Sequence, residues 1–190
     1  MAKIGAALPA SMLCLVITGF FQSVVAYSGT FVAQYHGAGD RRGVRASYRC
    51  GTIIAIAAGL LALCFIPIGR SILPMMTENP DVLMRSRIYY TVLMAGCIAV
   101  CGEMAASAYF TGQGRTRLVF WVSICGNLLN VALDPLLIFG LCGFPRLGIA
   151  GAAIATVLST FAQWVALAAL AREPGRTRPG EERLAFRILG

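Results

Sequence analysis

The sequence predicts an all-α integral membrane protein, a helical bundle with five transmembrane helices. Three observations carry this. The 190-residue chain is 58% hydrophobic and only 13% charged, with a mean hydropathy of +0.75, whereas soluble domains average roughly 45–50% apolar and about 25% charged residues. The apolar residues lie in long blocks, and the arginines gather near the ends of those blocks. A helix needs about 20 mostly apolar residues to cross the hydrocarbon layer, and five blocks qualify: 8–35, 50–73, 88–110, 118–141 and 148–171.

The block 8–35 follows Lys3 and could be mistaken for a secretory signal, but it exceeds the usual ~7–15-residue apolar core. Cys14 in "SMLC" also lacks the small residue that precedes a lipoprotein cysteine, so the block is a retained span. "HGAGDRRG" then turns the chain, with glycines for turn geometry and arginines held at the headgroups. His36 falls at this interface, where it is a headgroup-level side chain. After 50–73 comes the longer loop "MMTENPDVLMRSR", in which Pro80 is placed to start the next helix. "TGQGRTR" and "CGFPRLG" separate the last three blocks, and the final block opens on the small residues "GIAGAAIA". Small faces let membrane helices approach closely, because lipid removes the hydrophobic drive between them. From Arg172 the character changes: residues 172–190 are polar, carry Pro174 and Pro179, and read as a linker or tail.

The net charge of +8 is a topology signal rather than a nucleic-acid signal. With spans crossing alternately, eleven basic residues share one side: Arg41, Arg42, Arg45, Arg49, Arg115, Arg117, Arg172, Arg176, Arg178, Arg183 and Arg187. Five remain on the other: Lys3, Arg70, Arg85, Arg87 and Arg146. The positive-inside bias then puts the arginine-rich loops and the tail in the cytoplasm. It also puts the N-terminus outside, from which an upstream segment is expected.

Only two carboxylates lie well inside the spans, Glu103 and Asp134. A charge at the bilayer centre costs about 2.5 to 17 kcal/mol depending on the measure, so such groups face protein or a wet cavity. Asn127, Asn130 and Asp134 stand at i, i+3 and i+7, on one helical face. Pro135 has no N–H to give the carbonyl of Val131, one turn earlier. A carboxylate, an amide oxygen and a loosened carbonyl make a site for a hard cation such as Na+, or for a proton; the bland alternative is that Asp134 only bonds a neighbouring helix. Glu103 is either a second proton-carrying group or a structural donor. Gln22, Gln34 and Gln163 are polar spots able to pair helices, and Trp121 and Trp164 are placed for packing or for lining a cavity. Of the seven cysteines, Cys97 and Cys101 share a helical face, but no histidine or second cysteine pair completes a metal site, and core packing is the expected role. There is no Gly-rich phosphate loop followed by lysine, no HExxH and no GxSxG, which speaks against an enzyme.

"FVAQYHGAGDRR", "AYFTGQGRTRLVFWVSICGNLLNVALDPLLIFG" and "GFPRLGIAGAAIATVLS" together resemble the amino-terminal half of the multidrug and toxic compound extrusion (MATE) transporters. The resemblance runs from about Leu8 to Ala171. It implies a secondary antiporter of two six-helix lobes that exports organic, often cationic, compounds in exchange for Na+ or H+, with no cofactor beyond the coupling ion. The five spans then look like the second to sixth helices of the first lobe. On the same resemblance Asn130 and Asp134 match the cation site of the fifth helix, a candidate Na+ site, and Thr156 matches a hydroxyl of the sixth; Gln22, Gln34 and Asn127 are weaker candidates for the substrate cavity. The partners implied are the lipid bilayer, small organic cations or drugs, and the first helix and second lobe, which this sequence lacks; no nucleic acid is expected. Alternating access needs one half to rock against another, so the chain alone is expected to lack drug efflux. Two other classes fit less well. A lipid-linked-precursor flippase of the same superfamily would need basic residues inside its cavity, whereas these arginines sit at helix ends. A membrane scaffold subunit leaves Asn130 and Asp134 unexplained.

Overall fold

The computed structural model describes residues 7–77, 79–140 and 146–172. They form α1 (Ala7–Ala26), α2 (Ser28–Gly37), α3 (Arg41–Met76), α4 (Pro80–Ala95), α5 (Cys97–Gly112), α6 (Thr116–Phe139) and α7 (Ile149–Arg172). The span α1–α2 runs on through Tyr27 as one apolar segment, Ala10–Gly37. With α3, α6 and α7 it makes four helices long and apolar enough to cross a membrane, and the bent pair α4–α5 is the fifth. The all-helical membrane bundle expected from the apolar blocks is therefore the fold found. The segments 141–145 and 173–190, which include the end of the fourth block and nearly all of the tail, lie outside the described residues.

Two helices differ in extent from the apolar blocks. α3 begins at Arg41, not at Cys50, because Asp40 caps it, accepting from the Arg42 N–H at 2.9 Å. At about 1.5 Å per residue its 36 residues extend roughly 54 Å, well beyond a hydrocarbon core of about 30 Å. Its first turns therefore carry Arg41, Arg42, Arg45 and Arg49 into the headgroup region. The apolar block 88–110 is likewise part of a longer path. Asn79 caps α4, accepting from Asp81 at 3.0 Å, and Pro80 takes the first helical position. The path then bends by 42° between Ala95 and Cys97. Gly96 stands at the bend, and its missing side chain leaves room for Val157 of α7.

α5 is the hub, packed against α1, α2, α3 and α7, while α6 is held chiefly by α7. Small residues make these approaches possible. Gly59 lies against Ile98, Gly102 against the Trp164 ring and Gly69 against Tyr90, whose hydroxyl donates to the Phe65 carbonyl at 2.9 Å. One core joins Phe21 and Val25 of α1, Ala55 and Ala62 of α3, Tyr90 and Met94 of α4, and Cys97 and Cys101 of α5. The last two are fully buried with sulfur atoms 3.8 Å apart, as packing residues. Outward faces are apolar, and on α6 Trp121 and Val131 are 63% and 67% exposed. Trp121 therefore does not pack within the described bundle, whereas Trp164 does.

The arginine-bearing turns converge at one end. Tyr48 of α3 lies 4.6 Å from Tyr109 of α5, and Arg115 sits over the Phe110 ring at 5.2 Å. Gly39 and Gly114 close the turns at this end with φ of 72° and 73°, a left-handed geometry that disfavours other residues. The turns "GAGDRR" and "GQGRTR" thus share a left-handed glycine at the same place.

Candidate functional site

α6 and α7 run antiparallel and are clasped at two levels. Near one end Gly126 accommodates the Gln163 side chain; near the other Gly151 lies against the backbone of Leu137, whose carbonyl also accepts from the Leu147 N–H at 3.1 Å. Between the clasps the helices carry polar groups. Asn130 Nδ2 reaches Thr156 Oγ1 at 3.5 Å, the long limit of a hydrogen bond. The Thr156 hydroxyl donates to the Ala152 carbonyl at 3.0 Å. That bond fixes the rotamer and leaves one oxygen lone pair free, and with its nitrogen turned to Thr156, Asn130 keeps its amide oxygen available.

Asp134 follows Asn130 by one turn of α6. The residue is half-buried, and its Oδ1 is fully buried with no hydrogen-bond partner. Leaving a buried oxygen unpaired costs about 1–3 kcal/mol, more for a charged group. Tyr89 of α4 lies within electrostatic range of the carboxylate. Pro135 continues the helix but supplies no N–H to the Val131 carbonyl. The donors near this point are a carboxylate, an amide oxygen and a hydroxyl, all hard oxygen ligands suited to Na+ or a proton. Among the described residues no three of His, Cys, Asp or Glu cluster, so a transition-metal set is not part of the arrangement.

The structure brings Asn130 and Thr156 together, with Asp134 on the same helix. It does not gather the other candidates with them. Glu103 is half-buried on α5, and among the described residues no hydrogen bond or ion pair joins it to Asp134, Asn130 or Thr156. Gln22 is half-buried on α1, Gln34 is exposed in the last turn of α2, and Asn127 is exposed on α6. Tyr89 was missed in the sequence because nothing in "RIYYTVLM" marks which tyrosine comes within electrostatic range of Asp134.

The MatE family profile matches residues 2–136, which include Asn130 and Asp134. The chain belongs to the MatE family. Among the relatives of this MatE chain is a probable multidrug resistance protein NorM of Thermotoga maritima, 31% identical over 131 residues that span 68% of this chain and 28% of the relative. A probable NorM of Rhizobium meliloti is 32% identical over 140 residues, 74% of this chain and 29% of that protein. The MatE chain thus spans less than a third of the length of these relatives. Its fold is that of a crystal structure of MATE in complex with MaD3S, with a TM-score of 0.81 at 21% identity, covering 90% of this chain and 38% of the other.

Proposed function

We propose that this chain supplies the ion-coupling face of a secondary antiporter that exports organic, often cationic, compounds in exchange for Na+ or H+. The observation that carries this is the buried, unpartnered Oδ1 of Asp134 beside the Asn130–Thr156 contact. The multidrug resistance names of the NorM relatives point the same way. Asp134 is the group that takes the proton or cation, Asn130 and Thr156 supply neutral oxygens, and Pro135 loosens the α6 backbone beside them. Glu103 serves as a second, separate proton-carrying carboxylate, and Gln22, Gln34 and Asn127 contribute to the substrate cavity. The chain works by binding and moving solutes, not by catalysing a reaction. Alternating access requires a further lobe against which this one moves.

A chimera tests the reading: this chain replaces the matching third of a NorM relative, and ion-driven efflux of a cationic dye is followed in a pump-deficient host. Efflux above the empty vector supports it. A chimera present in the membrane at normal amounts but inert under every Na+ and pH gradient would sink it.

The same reading orients the chain in a bacterial inner membrane, with Arg41, Arg42, Arg115 and the tail cytoplasmic and Pro80 and Arg146 outside. Single cysteines at positions 80 and 146 should react with an impermeant maleimide added outside. Labelling of a cysteine at position 42 from that side would reverse the assignment.

A further inference from the structure

At the arginine-bearing end, a groove of about 570 Å³ opens between α3 and α7. α5 packs against both helices, with Tyr109 against Tyr48 and Gly102 against the Trp164 ring. The lining is graded along the helices. Arg49 and Arg172 stand at the rim with Tyr48, and Ile53 and Ala168 follow one turn further in, with Trp164 another turn beyond Ala168. Both arginines are exposed, and neither is paired with a carboxylate among the described residues.

We propose that this groove binds an anionic phospholipid, the headgroup phosphate between Arg49 and Arg172 and the start of an acyl chain along Ile53, Ala168 and Trp164. The charge gradient favours this occupant. A guanidinium pair suits a phosphodiester, and basic pockets between membrane helices are suited to anionic headgroups. A free anion would leave the apolar half of the groove unfilled, whereas a lipid matches both halves. The last carbonyls of α7 disfavour an anion, so binding depends on both arginines together. The site lies apart from Asp134 and does not rest on the transport reading.

Trp164 provides the readout. The full 190-residue chain has two tryptophans, so a Trp121→Phe background leaves Trp164 alone. It is titrated in neutral detergent with brominated phosphatidylglycerol or brominated phosphatidylcholine, and quenching is followed. Phosphatidylglycerol should quench at a mole fraction about thirtyfold lower, from about fivefold per arginine. Arg49→Gln with Arg172→Gln should abolish that preference, while Arg42→Gln with Arg45→Gln, the same charge loss outside the groove, should alter it by no more than about twofold. Equal quenching by the two lipids in the unsubstituted groove would overturn the proposal. So would equal losses from both arginine pairs, which would mean a diffuse field, or full displacement by millimolar inorganic phosphate, which would mean a free-anion site.

Discussion

Asp134→Asn is expected to cut ion-driven efflux by the NorM chimera at least about tenfold, which requires coupling through this group to contribute only about 1.4 kcal/mol to the cycle. Asparagine preserves the shape of the side chain but cannot change its charge on taking up a proton or cation. The fold should survive, because the contacts that hold α6 to α7 lie elsewhere, at Gly126 with Gln163 and at Gly151 with Leu137. The chimera should therefore reach the membrane in normal amounts and still bind dye. Asn130→Ala should weaken transport less, since it removes one neutral oxygen and a hydrogen bond already at 3.5 Å. Normal efflux by Asp134→Asn across pH and Na+ would make the carboxylate structural.

Gly151→Val should be the most damaging single packing change near the site. A methyl at Gly151 would stand 2.5 Å from the Leu137 carbonyl oxygen and 2.7 Å from its carbon. Both atoms are backbone, so no rotamer change relieves the clash and the helices must part. Overpacking of this kind costs about 1–3 kcal/mol. The purified chain in detergent should unfold at a distinctly lower temperature, and separation of α6 from α7 should also open the Asn130–Thr156 contact. Gly19→Ala is the matched control, since a Cβ there meets nothing within 4 Å. Equal unfolding temperatures for the two variants would show that the α6–α7 approach is looser than described.

The class of fold was legible because a membrane span has to be long and apolar, and length and hydropathy survive in one dimension. Its ends were less legible. Hydropathy detects only the part of α3 in lipid, so the capped arginine-rich turns from Arg41 escaped it. The bend at Gly96 was hidden inside an unbroken apolar run, and the Val157 side chain that packs there is sixty-one positions away in the sequence. The Asn130–Asp134 face could be read from helical spacing alone. Thr156 came only from the family resemblance, as no spacing links α6 to α7. The tyrosine near Asp134 depends on how α4 crosses the bundle, which only the assembled helices reveal.

The central claim is that Asp134 takes up the coupling ion, and infrared difference spectroscopy on the purified 190-residue chain tests it most directly. Spectra would be compared between K+ and Na+ and between acidic and alkaline buffer, for the unsubstituted chain, Asp134→Asn and Glu103→Gln. The account predicts a carboxyl band that responds to Na+ or to pH, persists in Glu103→Gln and is missing from Asp134→Asn. Identical difference spectra for the unsubstituted chain and Asp134→Asn under both comparisons would contradict it.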